Sequence, residues 1–235
     1  MTDSPFLNHP GVVLADPEFS TISKGLPVHY GDPSGEQWAL AGGRALVDRS
    51  DMKVVAVSGA DRLTWLTSLT SQVLTGMSPH ESRELLILDP QGHIEYAAAV
   101  LDDGMSTFLI TEGEYAQGLA SWLDSMRFTL RVEVTIRDDF HVIGAVTPPA
   151  VSLNIPQVDG VLIWDDPWPG VTEGGTEYFQ GAHPGRSLHM HLCLVPLGAL
   201  AKFVTEWLNA DGNRLAGMWA WEALRIAAWR PRLGH

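Results

Sequence analysis

Apolar positions along the middle of the chain change period in a regular order. Residues 54–58 form a short apolar run suited to a buried strand, and Leu63, Leu66, Leu69 and Val73 then recur at the three-to-four spacing of a helix face. Asp61 stands at the start of that helix, where a carboxylate meets free backbone N–H groups. Residues 85–89, 94–101 and 107–111 read as three strands, the first two joined by the turn signal Pro90, Gln91, Gly92. Tyr115, Leu119, Trp122, Leu123 and Met126 mark a second helix face, and Leu130, Val132, Val134 and Ile136 alternate as in a strand with one buried face.

The order strand, helix, two or three strands, helix, strand predicts a ferredoxin-like, split βαβ unit over residues 53–139. Residues 1–37 are rich in Pro, Gly, Asp and Ser without a sustained period and read as an irregular lead-in. Residues 141–146, 161–164 and 189–195 read as strands, 167–185 as a long Pro- and Gly-rich loop, and 197–209 and 215–230 as helices. The predicted class is α+β, with the ferredoxin-like unit inserted in a second α+β unit made of residues 1–52 and 140–235.

Composition narrows the function classes. With 45% apolar and 18% charged residues, the 235-residue chain can bury a sizeable core. Its longest apolar run, 96–101, is far short of the roughly 20 residues a membrane helix needs. No basic region followed by an apolar stretch opens the sequence, and the single Cys193 cannot close an internal disulfide, so a cytoplasmic protein is expected. A formal net charge of −13 argues against broad nucleic-acid contact. It leaves room for an anionic small ligand near the C-terminal helix, where Arg214, Arg225, Arg230 and Arg232 stand against Glu222.

That C-terminal stretch holds the strongest candidate chemistry. An apolar helix carries Arg225 within its pattern and meets Pro231, which lacks an N–H and predicts an end by about Arg230. Arginines in a last turn either complement the helix dipole or fork onto a carboxylate or a planar ligand. Trp219, Trp221 and Trp229 fit a core stripe or a wall against which a flat ligand stacks. Elsewhere, His189, His191 and Cys193 alternate on one strand face, with His183 as a fourth possible metal ligand. The spacing matches no established metal motif, and the reading is a strand that buries Met190, Leu192 and Leu194 and leaves its other face half-exposed, with no metal. No Gly-x-Ser-x-Gly turn supports Ser58, Ser187 or Cys193 as a nucleophile, and Gly42-Gly43-Arg44 lacks the Lys and Ser/Thr of a phosphate loop.

Several segments resemble the glycine-cleavage T-protein superfamily, and more specifically its YgfZ-type folate-binding members. They are Ala45-Leu-Val-Asp-Arg-Ser50, Val57-Ser-Gly-Ala-Asp-Arg-Leu-Thr-Trp-Leu66, Leu88-Asp-Pro-Gln-Gly-His-Ile94, and Glu222-Ala-Leu-Arg-Ile226 followed by a proline. The resemblance implies the T-protein's N-terminal folate-binding architecture and tetrahydrofolate, or a derivative, as cofactor. Arg225 and Arg230 would meet polar or carboxylate groups, and Trp221 or Trp229 would form a wall. The stretch Gly92-His-Ile-Glu-Tyr96 puts Glu95 or Tyr96 in the slot of the family's working aspartate, facing the pterin. Leu192 replaces a pterin-facing glutamate, Gly170-Val-Thr-Glu-Gly174 echoes a Gly-Tyr-Thr-Gly-Glu motif, and Ala227 and Trp229 replace the family's Glu and Gly. Misplacing a catalytic group by about 1 Å loses on the order of 10²-fold in rate, so these departures imply binding rather than aminomethyl transfer.

The YgfZ-type signature Lys-Gly-Cys-x-x-Gly-Gln-Glu is not in the sequence, so a truncated or divergent short form is expected. The resemblance implies a supporting role in iron–sulfur protein maintenance or tRNA modification, with iron–sulfur proteins as clients. The alternatives are an aminomethyltransferase-like enzyme using tetrahydrofolate and a scaffold that binds no ligand.

Overall fold

The computed structural model describes residues 4–16, 25–171, 176–177 and 179–233. Two compact units divide the chain, one of Met1–Asp51 with His141–Pro231 and one of Met52–Phe140 with Arg232–His235.

The first unit opens with β1 (Val13–Leu14) and β2 (Pro27–His29), which pair antiparallel, followed by α1 (Pro33–Ala41) and β3 (Ala45–Asp48). The described parts of the lead-in therefore hold regular elements that their composition does not predict. Asp32 caps α1 by accepting the Gly35 N–H, and Pro33 occupies the first turn, where its missing N–H costs nothing. Glu36 is the reason this helix escapes a hydrophobic pattern. It is a buried carboxylate that accepts N–H groups from Tyr30 (2.7 Å), Asp32 (3.2 Å) and Gly217 (2.9 Å).

The second unit runs β4 (Met52–Ser58), α2 (Arg62–Leu69), β5 (Ser82–Leu88), β6 (Ile94–Asp102), β7 (Ser106–Glu112), α3 (Gly113–Ser125) and β8 (Glu133–Arg137). Its strands form a sheet of order β5-β6-β7-β4-β8, antiparallel throughout. Val55, Val57, Leu85, Ile87, Val100 and Leu109 pack with Trp65 and Leu66 of α2 and Leu119 and Leu123 of α3 in one apolar cluster. The alternation expected from Leu130 begins later, at Glu133, because residues 126–132 turn and leave Leu130 exposed. Asp102 is the buried charge of this unit. It receives both arms of Arg62 (2.8 and 2.9 Å), the Thr107 hydroxyl (2.6 Å) and the Gly104 N–H (2.8 Å). Burial alone would raise its pKa, but the Arg62 fork and the Thr107 hydroxyl outweigh it and hold the carboxyl below its ordinary value.

The chain returns to the first unit through β9 (Phe140–Thr147), β10 (Leu162–Asp165), β11 (His189–Pro196), α4 (Leu200–Asn209), β12 (Arg214–Ala216) and α5 (Met218–Ala227). The sheet order is β10-β11-β9-β3-β12, with β12 parallel to β3. Leu200, Phe203, Val204 and Trp207 form the buried stripe of α4 and join Leu46, Ile143, Cys193, Val195 and Leu215 in the core. Replacing Phe203 with alanine would cost about 3–5 kcal/mol, the usual range for a buried phenylalanine.

Two sequence expectations fail in this half. Leu215 lies in a strand, not in the last helix, because Gly217 is extended and seats its backbone against Val28 where no side chain fits. The last helix also stops at Ala227, three residues before Arg230. Among the described residues no helix is long and apolar enough to cross a membrane.

Candidate functional site

The end of α5 is closed by a hydrogen-bonded double turn. The Trp229 N–H donates to the Ile226 carbonyl (3.0 Å), and the Arg230 N–H reaches back to the Arg225 carbonyl (3.0 Å). This pair of bonds is the Schellman arrangement, whose middle residue must take a left-handed conformation and is usually glycine. Here it is Trp229, at φ +54°. Pro231 follows the turn rather than making it.

Arg225 staples the same turn. Its Nε and Nη2 donate to Glu222 (2.9 and 2.7 Å) and its Nη1 to the Arg230 carbonyl (2.7 Å), one of the last acceptors that a helix end leaves unpaired. Three of its five N–H groups are engaged in this way, so a ligand would meet an arginine already held in place. Arg230 donates to Asp166 (2.8 Å) and lies over the Trp168 ring at 5.7 Å. Arg214 bonds Asp32 (3.0 Å), and Arg232, which belongs to the second unit, forks onto Glu112 (2.6 and 2.8 Å). All four arginines are thus matched by carboxylates, Arg225 by Glu222 three residues away and the other three by partners distant in sequence, a correction to the expectation of a net positive patch.

The neighbours of Trp229 form an aromatic cluster that sequence reading passed over. The His183 ring meets Trp168, Phe179 and Trp229 edge-on, with centroids at 5.3, 5.7 and 5.4 Å, and Phe179 meets Trp229 at 5.3 Å. Two of these rings are also fixed by hydrogen bonds. The Trp168 indole N–H donates to the Ala228 carbonyl (2.9 Å), and His183 Nδ1 accepts the Gly185 N–H (3.0 Å). In its neutral form His183 therefore carries its hydrogen on Nε2. The Pro- and Gly-rich loop hid these aromatics, because no periodicity links them. The only signal was the density of Trp, Phe and His between 164 and 183.

Trp221, the other candidate wall, is packed away at 5% exposure. Its ring lies against Gly144, where a side chain would collide with it, and beneath the Arg49 guanidinium at 5.0 Å. Arg49 in turn forks onto Asp51, and neighbouring Asp48 is bonded to buried His141 (2.9 Å), so this stretch of the resemblance sits in a buried polar network. Burial pushes the nearby Tyr30 phenol well above its ordinary range, with Asp48 and Glu36 adding to the shift.

Glu95 and Tyr96 begin β6 in the second unit. Glu95 is exposed, while half-buried Tyr96 packs against the apolar cluster with its hydroxyl over Gly118. The turn before them is organised by Asp89, which accepts the N–H groups of Gln91 and His93 (both 2.8 Å) and bonds the His93 ring (2.9 Å). The His93 contacts hold the Asp89 carboxyl below its ordinary value of 3.8.

The His189, His191, Cys193 face is buried from His191 onward, contrary to the half-exposed face expected. His191 is spent on Asp165 (2.7 Å) and Thr147 (3.0 Å), and burial, with Asp165 nearby, pushes the Cys193 thiol up to about 12. Among the described residues no group of His, Cys, Asp and Glu is arranged to hold a metal. Leu192 is buried beside Trp164 of β10. The echo at 170–174 lies largely outside the described residues.

Known proteins are similar to this chain in sequence and in fold. No family model matches the chain. The chain is 22% identical over 216 residues to an aminomethyltransferase of Chromobacterium violaceum, an alignment that covers 89% of this chain and 58% of that protein. The crystal structure of the glycine cleavage system aminomethyltransferase T from Bartonella henselae superposes on 92% of the chain with a TM-score of 0.68 at 14% identity. The fold is therefore that of an aminomethyltransferase T. The chain is thus similar in sequence to one aminomethyltransferase and in fold to another. The chain spans 58% of the length of each of these two proteins.

Proposed function

We propose that this chain is a tetrahydrofolate-binding protein of the YgfZ type that supports iron–sulfur protein maintenance or tRNA modification and does not itself catalyse aminomethyl transfer. Residues 53–139 are then a ferredoxin-like unit with an added edge strand, inserted as in the T-protein. The observation that carries the reading is a T-protein fold along 92% of the chain, beside sequence departures at the positions that the resemblance assigns to the cofactor. By the sequence resemblance, exposed Glu95 or half-buried Tyr96 would take the aspartate's place, and buried Leu192 the glutamate's. Arg225 and Arg230 are pre-ordered by Glu222 and Asp166, which lowers the entropy lost when a guanidinium meets a carboxylate or a ring carbonyl.

Equilibrium dialysis of the folded chain against tetrahydrofolate tests the binding claim, and saturable one-to-one uptake is expected. A parallel assay with aminomethyl-lipoyl carrier and tetrahydrofolate tests the enzymatic alternative. Methylene transfer above the rate without protein would replace the binding reading with an aminomethyltransferase.

A further inference from the structure

Trp229 occupies a position where the backbone asks for a residue without a Cβ. The Schellman turn needs a left-handed residue, and a bulky side chain there is a conformational outlier with a definite strain. Burial does not repay this strain, because the residue remains 55% exposed. The ring is nevertheless held firmly. Phe179 and His183 meet it edge-on at 81° and 75°, and Trp168, anchored on the Ala228 carbonyl, closes on His183 from another side. An exposed aromatic ring, locked in orientation at a strained residue, is well suited to stacking on a flat partner, since little side-chain entropy remains to be lost on binding.

We propose that Trp229 is a stacking platform for the planar heteroaromatic ring of the ligand, a pterin, and that Phe179, His183 and Trp168 form the frame that fixes it. This inference rests on the folate reading above and adds to it a recognition element supplied by this chain's own Trp229.

The test replaces Trp229 with glycine, which removes both strain and ring, with asparagine, which tolerates the left-handed conformation, and with phenylalanine, which keeps a ring. Thermal unfolding and calorimetric binding are measured for each, with tetrahydrofolate and with p-aminobenzoylglutamate, which lacks the pterin. The expected result is a divergence. The Trp229→Gly chain melts a few degrees higher and binds tetrahydrofolate roughly 5- to 100-fold more weakly, the loss of one ring-stacking contact. Trp229→Asn also loses affinity, Trp229→Phe keeps most of it, and the response to p-aminobenzoylglutamate is the same in every variant. Unchanged tetrahydrofolate affinity in folded Trp229→Gly and Trp229→Asn overturns the platform while leaving the folate reading intact. A lower melting temperature in Trp229→Gly assigns the ring to packing and also overturns it. Failure of the folded parent chain to bind tetrahydrofolate overturns the folate reading, and this inference with it.

Discussion

Two turns in this protein solve the same backbone problem in opposite ways. Before β6, the chain reverses through Gly92 at φ +89°, with open space around the missing side chain and Asp89 gathering the turn's N–H groups. After α5, it reverses through Trp229 at φ +54°, within a double hydrogen-bonded turn that Arg225 staples. A small side chain would find room at Gly92, yet glycine is there because the conformation favours it. At Trp229 the conformation favours glycine equally, and a large ring is there instead. Conformational preference therefore accounts for the first turn and leaves the second unexplained without a use for the exposed indole.

The largest effect should come from cutting the staple. Arg225→Ala removes the fork onto Glu222 and the bond to the Arg230 carbonyl and is expected to destabilise the chain by about 2 kcal/mol, with the urea midpoint lowered. A midpoint within a few tenths of a kcal/mol of the parent would show that the turn holds without it. The two left-handed residues should then respond with opposite signs. Gly92→Ala is expected to cost roughly 1 kcal/mol, and Trp229→Gly to gain about as much, both read from urea melts of the folded chain. Equal signs would end the contrast between the turns.

The smallest effect concerns acid. The folded pKa of Asp89 is depressed by the His93 N–H and ring, so its contribution is complete above its ordinary value of 3.8 and fades as pH falls through the lower folded value. Amide exchange at Gln91 and His93 should accelerate in that range relative to amides elsewhere in the unit. Asp89→Asn should abolish that pH dependence. The amides of the α5 turn donate to backbone carbonyls rather than to a carboxylate, and should show less sensitivity.

Much of the second unit was legible because its apolar residues follow one period at a time. The strands expected at 54–58, 94–101 and 107–111 fall within Met52–Ser58, Ile94–Asp102 and Ser106–Glu112, and the helix expected around Tyr115 to Met126 is Gly113–Ser125. The first unit hides its logic in polar residues. α1 was missed because one of its buried residues is Glu36, which counts as polar in any periodicity and earns its burial through N–H groups far apart in sequence. The last helix was read too long at both ends, since Leu215, Ala216 and Met218 suit either a strand or a helix and only the extended Gly217 separates them.

The candidate residues were partly legible. Arg225 and Trp229 stood out by type and place, but a left-handed φ cannot be read from a tryptophan, and the partners Asp166, Trp168 and Phe179 lie in a stretch without period. The arginine cluster looked unbalanced because its carboxylates, Asp32, Asp166 and Glu112, are remote in sequence.

The most direct test of the folate assignment is a calorimetric titration of the folded chain with tetrahydrofolate. The account predicts saturable one-to-one binding with a dissociation constant on the order of micromolar, the range of a modest pocket with stacking and charged contacts. A folded sample that yields no binding heat and no shift of its melting temperature at millimolar tetrahydrofolate would contradict it.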